Sequence, residues 1–127
     1  MKESIYNKRT GKGKEYNNKN KLIFEGEYIF GQRKRGKYFV NEHLEFEGEY
    51  LYNRKWNGKG YDINGNIIYE LNNGKGFVKE YNIYNDKLLY EGEYLDGKRN
   101  GKGKEYNIYN GKLIYEGEFV NGKRKEI

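Results

Sequence analysis

Tyr90-Glu-Gly-Glu-Tyr94-Leu-Asp-Gly97-Lys-Arg-Asn-Gly101-Lys-Gly103-Lys-Glu-Tyr106 decides the fold. Its residues alternate with a period of two, the period of a β-strand. Tyr90, Gly92 and Tyr94 face one way, and Glu91 and Glu93 face the other. Gly101 and Gly103 alternate with Lys102 and Lys104 in the same manner. The Gly- and Asn-containing segment Asp96 to Asn100 reads as the turn of a hairpin. Tyr94 opposite Gly101 would set Gly92 against Gly103, Glu93 against Lys102 and Glu91 against Lys104. One face is then aromatics over glycines and the other a Glu–Lys ladder, each pair worth about 0.2–1 kcal/mol. A slip of one residue would set Tyr against Lys and break both patterns. Glycine weakens a strand, so its recurrence on the aromatic face needs a reason. The reason offered here is that each ring lies on bare backbone of the hairpin beside it, and stacking then stabilises units too small to fold alone.

The pattern recurs outward from this stretch. Phe24-Glu-Gly-Glu-Tyr28, Phe46-Glu-Gly-Glu-Tyr50 and Tyr115-Glu-Gly-Glu-Phe119 repeat its start. Gly11-Lys-Gly-Lys-Glu-Tyr16, Asn57-Gly-Lys-Gly60 and Asn73-Gly-Lys-Gly-Phe77 repeat its end. Aromatic anchors at Phe24, Phe46, Tyr69, Tyr90 and Tyr115 are 22, 23, 21 and 25 residues apart. The chain reads as one domain, a single array with repeats near 1–21 (partial), 22–43, 44–66, 67–87 (degenerate), 88–112 and 113–127 (partial). Asn- and Gly-containing linkers join the units, residue types that tolerate positive φ. Some copies depart from the pattern. Arg35 and Lys37 stand where Gly101 and Gly103 are expected, with Gly36 offset by one. Asn53 replaces Gly97, Trp56 looks inserted, and Leu71 replaces the first glycine.

Composition agrees with a thin β architecture. The 127 residues include 18 Gly, 15 Tyr and 17 Asn but no Ala, Pro or Cys. Ala is the best helix former, and Gly and Asn are poor ones. Leu, Ile, Val and Phe total 27, too few for a thick two-layer core, so the tyrosines must supply much of the buried area. Without Cys there is neither a disulfide framework nor a thiolate zinc site. No apolar run approaches a membrane span, and Met1 to Asn7 lacks the apolar core of a signal peptide. A cytoplasmic protein is expected, with peripheral attachment to a membrane as the variant.

The spacing Tyr-x-Gly-x-x-x-x-Gly-x-x-x-Gly-x-Gly, met in full by Tyr90, Gly92, Gly97, Gly101 and Gly103, resembles the MORN repeat (membrane occupation and recognition nexus), over nearly the whole chain. The resemblance implies an all-β fold: a single-layer twisted antiparallel sheet of stacked β-hairpins, a MORN-type solenoid. It further implies a non-catalytic scaffold or interaction module. Lipid binding is proposed for some members, and an antitoxin-like role for some bacterial ones.

Candidate sites are few. Ser4, Thr10 and His43 are the only residues of their types; Ser4 lies at the chain start, and His43 reads as a surface histidine in a loop, so no triad forms. The carboxylate pairs Glu25/Glu27, Glu47/Glu49, Glu91/Glu93 and Glu116/Glu118 are copies of one another beside lysines, whereas acid–base chemistry needs two carboxyls in different environments. Gly-Lys-Gly lacks the following Ser/Thr and helix of a phosphate loop. No enzyme activity, cofactor or metal is expected. Net charge is +6, and the excess gathers in the expected hairpin turns: Arg33, Lys34 and Arg35; Arg54 and Lys55; Lys98 and Arg99; Lys123, Arg124 and Lys125. Stacked turns would align these into a basic edge for an acidic partner or anionic lipid. The same charges also keep a β surface soluble. Interleaved Tyr and Lys raise nucleic acid as a partner, but the rings are needed for packing and Glu alternates with the lysines. Trp56 has two readings, an exposed anchor or a ring folded back onto Phe46. The chain starts on what reads as a second strand, Gly11 to Tyr16, after a poor one at Ile5-Tyr6, and ends on a first strand, Tyr115 to Val120, without a second. These complementary edges suggest homo-oligomers. The leading expectation is a scaffold for a protein partner, working through the aromatic/glycine face and the basic edge. The alternatives are peripheral binding of anionic phospholipid through that edge, or an antitoxin- or immunity-like inhibitor of a partner protein.

Overall fold

The computed structural model describes residues 10–82 and 85–125. Its strands are β1 (Gly11–Tyr16), β2 (Leu22–Ile29), β3 (Gln32–Val40), β4 (His43–Leu51), β5 (Arg54–Tyr61), β6 (Ile67–Asn72), β7 (Lys75–Tyr81), β8 (Leu88–Leu95), β9 (Lys98–Tyr106), β10 (Leu113–Val120) and β11 (Lys123–Arg124). They form one open eleven-stranded sheet in chain order, every neighbour antiparallel. There is no helix among the described residues. The expected strand at Ile5-Tyr6 lies outside them. After β10 the chain does form a second strand, β11, contrary to the expected bare end; Phe119 and Val120 pair with Arg124 and Lys123.

Hairpin geometry follows from six two-residue turns with both central residues at positive φ: Phe30-Gly31, Asn41-Glu42, Tyr52-Asn53, Asn73-Gly74, Asp96-Gly97 and Asn121-Gly122. This is the type I′ signature, whose twist matches that of the flanking strands. Asn, Asp and Gly suit it; Phe30 at φ 49° and Tyr52 at φ 54° hold it at a cost of about 1–2 kcal/mol each. All but Asn41-Glu42 gather on one edge and stack: Gly97 N donates to Gly74 O at 2.9 Å, and Gly122 N to Arg99 O at 2.8 Å. On the other edge Asn17, Asp62 and Asn107 nucleate wider loops, each side-chain oxygen accepting two backbone N–H groups.

The expected register holds in its centre and fails near the turn. Gly92 faces Gly103 and Glu91 faces Lys104, but a bulge between Gly92 and Tyr94 sets Tyr94 against Arg99. The aromatic partner of Gly101 is Phe119 of the next hairpin. Glycines 13, 26, 36, 48 and 58 run across the sheet as one row, continued after the short β6–β7 hairpin by glycines 92, 103 and 117. Beside the row, Lys14, Glu25, Lys37, Glu47, Lys59 and Glu70 alternate in sign across six strands. Gly36 thus occupies the place of Gly103, and its apparent offset is absorbed by a shorter bulge. Trp56 is not an insertion either; it is the bulge residue of β5, where β3 has Lys34 and β9 has Asn100.

Most rings lie over glycines of their own hairpin, but Tyr69 lies over Gly60 of the hairpin before it, as expected of stacked units. A Cβ at Gly36 or Gly58 would stand 2.7 Å from the Phe24 or Phe46 ring, and one at Gly103 would stand 2.6 Å from the Tyr90 ring. Phe24, Phe46 and Tyr90 are fully buried. Edge-to-face contacts at 5.4–5.8 Å join Phe24, Tyr28, Tyr50 and Phe46 into one line. Aromatic pairs of this geometry add about 0.5–1.5 kcal/mol each beyond area burial.

Candidate functional site

The residue after each tight turn faces the charged side of the sheet, and the next faces the rings. That alternation places Arg33, Lys55, Arg99 and Arg124 on the aromatic face, opposite Tyr28, Tyr50, Tyr94 and Phe119. Arg33 lies 4.5 Å over Phe24, Lys55 lies 5.2 Å over Phe46, Arg99 lies 4.4 Å over Tyr90 and Arg124 lies 5.0 Å over Tyr115. Three of these cations meet a glutamate from the strand before the hairpin. Arg33 binds Glu15 through Nε and Nη2 at 2.9 and 2.8 Å, and Arg99 binds Glu80 likewise at 3.1 and 2.9 Å. Arg124 donates to Glu105 at 2.8 Å. Tyr28 donates to Glu15 at 2.6 Å, and Tyr94 donates to Glu80. The first two units are therefore a glutamate, a tyrosine and an arginine from three successive strands, roofing the rings below; in the last, Phe119 takes the tyrosine's place.

Four expectations are corrected here. The basic residues do not sit in turns, because the turns take only two residues and Arg33, Lys34, Arg35, Arg54, Lys55, Lys98, Arg99, Lys123 and Arg124 are already in strands. The aromatic/glycine face is also not open: Phe24, Tyr28, Phe46, Tyr50, Tyr90 and Phe119 are buried. Trp56 follows neither reading. It is partly buried, edge-on to Tyr52 at 6.4 Å and pressed on the Gly74 turn. His43 is not in a loop but opens β4, with Nε2 3.9 Å from Asp86.

The middle of the array breaks the rule. The position equivalent to Glu15 and Glu80 is Tyr38 on β3, and the cation is Lys55, 4.5 Å over the Tyr38 ring. A substitute carboxylate arrives from elsewhere: Glu45 of β4, only 2 % exposed, takes Lys55 Nζ at 2.6 Å and the Tyr69 hydroxyl at 2.8 Å. Burial raises the Tyr69 hydroxyl pKa well above its usual range, and Glu45 adds to the rise against Lys55. Tyr50, the counterpart of Tyr28 and Tyr94, has no carboxylate to bond, and its buried hydroxyl lacks a partner among the described residues. Burial pushes its pKa up to about 12.

These carboxylates tie stability to pH. At Glu15 and Glu80 burial acts to raise the pKa, but hydrogen bonds from the arginine and tyrosine outweigh it, and both carboxyls sit below the ordinary value. A depressed folded pKa adds stability that is complete above the unfolded pKa and disappears as pH falls through the folded one. Urea unfolding at pH 7, 4.5 and 3 should therefore show stability falling steadily into acid. In Glu80→Gln the fall should be shallower, since one of the two linked groups no longer titrates.

The charged face carries a different pattern at the tight-turn edge. Ile29, Leu51, Leu95 and Val120 occupy equivalent positions, each 40–49 % exposed. Directly across from them stand Gln32, Arg54, Lys98 and Lys123. Lys75 lies between, opposite Asn72. Arg54 folds against the neighbouring turn, donating to Asp96 O at 3.4 Å. Lys75, Lys98 and Lys123 have no carboxylate partner among the described residues. Phe30 and Tyr52 project from the turns of the same edge, 76 % and 66 % exposed. Lys34 and Arg35 are exposed, and Arg35 pairs loosely with Glu27 at 3.5 Å. Among the described residues no group of three His, Cys, Asp or Glu is placed to hold a metal.

Residues 90–107 and 115–125, which form the last hairpins, match the family model of the MORN repeat. No curated protein and no solved structure matches the chain. MORN repeats are in general non-enzymatic scaffolds for protein or lipid interaction.

Proposed function

We propose that this chain, with MORN repeats at 90–107 and 115–125, is a non-enzymatic scaffold that docks a protein partner along its tight-turn edge. The observation that carries this reading is a row of exposed aliphatic side chains, Ile29, Leu51, Leu95 and Val120, three of which stand across from a basic residue (Arg54, Lys98 and Lys123) and the first across from Gln32. Such an edge fits a partner whose surface alternates apolar and acidic groups. Each lysine adds charge complementarity, and each aliphatic neighbour adds desolvated area. Phe30 and Tyr52 support the same edge, since they occupy a backbone conformation that costs bulky residues energy and leaves their rings in water. Strained exposed residues of this kind cluster where a protein binds something.

A second reading rests on those two rings. Aromatic tips beside lysines also suit the interface of an anionic membrane, where each basic residue adds about 1 kcal/mol. One variant tests the edge for both readings. Lys98→Glu/Lys123→Glu should leave the fold intact, because neither lysine has a carboxylate partner to lose among the described residues. Captured partner should fall by tenfold or more in pull-downs from native lysate, as two reversed charges remove about 1 kcal/mol each. Sedimentation with neutral vesicles and with vesicles containing phosphatidylserine tells the readings apart. Capture of protein with no vesicle binding supports the scaffold; binding confined to anionic vesicles supports the membrane reading. Full capture by the double variant would place the working surface elsewhere.

A further inference from the structure

Among the described residues no strand pairs with the outer side of β1. At the other end of the sheet, β11 covers β10 only at Phe119 and Val120, with one further bond from Lys125 N to Glu118 O. Tyr115, Glu116 and Gly117 are paired with β9 on their inner side and with no described strand on the outer. The same stretch one hairpin earlier is paired on both sides: on β9, Glu105 faces Tyr90, Lys104 faces Glu91 and Gly103 faces Gly92. β8 and β10 repeat one sequence, Leu-Leu-Tyr-Glu-Gly-Glu-Tyr-Leu and Leu-Ile-Tyr-Glu-Gly-Glu-Phe-Val. The outer side of β10 is therefore shaped for a strand like Gly101-Lys-Gly-Lys-Glu-Tyr106.

The chain carries that strand a second time, at its opposite edge. Gly11-Lys-Gly-Lys-Glu-Tyr16 of β1 is identical to residues 101–106. The inner pairings agree as well: Lys12, Gly13 and Lys14 face Glu27, Gly26 and Glu25, as Lys102, Gly103 and Lys104 face Glu118, Gly117 and Glu116. The outer side of β1 is thus the side that β9 gives to β8. Tyr115 marks the vacancy on β10. It holds the pose of Tyr90, its hydroxyl donating to Glu118 O at 2.9 Å as that of Tyr90 donates to Glu93 O at 2.9 Å. Arg124 covers its ring as Arg99 covers Tyr90. Tyr90 is fully buried, with Gly103 of the next strand against its ring. Tyr115 has no such strand and stays partly exposed, beside Leu113 and Ile114 at 49 % exposure each.

We propose that β10 of one chain binds β1 of a second copy, antiparallel, with Tyr115 against Glu15, Glu116 against Lys14 and Gly117 against Gly13. The Tyr115 ring then covers Gly13 of the second copy as Tyr90 covers Gly103. Charge fixes the register: Lys104 and Glu116 of one chain meet Lys14 and Glu25 of the next, so signs alternate without a break across the joint. A slip of one residue would set glycine against charge and turn the Tyr115 ring from bare backbone. The joint stops at Gly117, because Lys125 already bonds Glu118 O. It joins two different edges, so copies add head to tail and not as a closed pair.

Sedimentation velocity of the whole chain, from micromolar to millimolar concentration, should show mass growing with concentration beyond the dimer. Lys14→Glu should move that growth about tenfold higher in concentration, and Glu116→Lys should do the same, since each sets like charges opposite one another at the joint. An equimolar mixture of the two variants should recover the growth of the parent, because every joint in an alternating array again pairs opposite charges. Both substitutions in one chain should recover it too. Recovery also shows that each variant is folded. In the parent, hydrogen exchange should slow with concentration at amides of residues 13–15 and 115–117 and stay unchanged at those of β5 and β6. A parent that stays monomeric, growth that ends at a dimer, single variants that assemble like the parent, or exchange that ignores concentration at both edges would each overturn the proposal.

Discussion

Replacing Gly48 with alanine is expected to cost more than about 4 kcal/mol, a loss reached only where a named steric or packing failure occurs. The physical reason is the row of glycines that face one another across the strands. A Cβ on Gly48 would overlap the carbonyl oxygen of Asn57 and stand 2.6 Å from the Cα of Gly58. Both are backbone atoms of the paired strand, so no rotamer change can relieve the clash. β4 and β5 would have to part where Gly48 and Gly58 are cross-strand partners, and the bonds on either side would stretch with them. Domains of this size have roughly 5–15 kcal/mol of stability in all, so the variant should be largely unfolded or melt far lower. Gly65→Ala is the matched control. It lies in a loop at φ +85° with nothing within 4 Å of a new Cβ, so it meets only the left-handed penalty of about 1–2 kcal/mol. Urea midpoints of the two variants followed by near-UV absorbance of the tyrosines should differ widely. If Gly48→Ala melts with Gly65→Ala, the rings and not the bare backbone set the spacing of the strands.

Much of this architecture was legible because period two leaves few alternatives. Once Tyr90, Gly92 and Tyr94 share a face, the Glu–Lys ladder and the Gly92–Gly103 pair follow. What escaped was the turn. Asp96-Gly97 closes the hairpin in two residues, so alternation resumes at Lys98 and sends Arg99 onto the rings; a turn taken as five residues long hides that. A signal for the buried cations was present nonetheless. Glu15, Glu80 and Glu105 precede Arg33, Arg99 and Arg124 by 18, 19 and 19 residues, a recurrence that charge counting by segment conceals. Trp56 looked inserted because bulges have no mark in a pattern of spacings. The curl that brings Tyr94 and Glu80 near Tyr38 and Tyr50 is the sum of many small strand twists, and no local stretch encodes it. Tyr38 could be seen to depart from the Lys-Glu-Tyr ending of β1 and β9, but the orphaned Tyr50 hydroxyl depends on which neighbours the curl supplies.

Removing either Glu80 or Arg99 should cost about 2–4 kcal/mol, the lower part of the range for breaking a buried pair because the two side chains keep 25 % and 20 % exposure. The size comes from what each deletion strands. Without Arg99, the Glu80 carboxylate keeps only the Tyr94 hydroxyl and faces the Tyr90 and Phe119 rings from which the guanidinium has gone. Without Glu80, Arg99 falls back on Glu105 at 3.6 Å, which Arg124 already engages, and Tyr94 loses its acceptor. Deleting both residues removes the charges together, so the double variant should cost clearly less than the sum of the singles, a coupling of about 1–3 kcal/mol. Lys59–Glu70, 3.9 Å apart and half exposed on the charged face, should show coupling below about 0.5 kcal/mol in the same cycle. The contrast separates the two kinds of charge in this sheet: those that alternate across its outer face stand half in solvent and couple weakly, and those that roof the rings hold successive hairpins together. Equal coupling in the two cycles would mean that Arg99 stabilises by covering the Tyr90 ring with its aliphatic stem, and Arg99→Met would then match the parent stability.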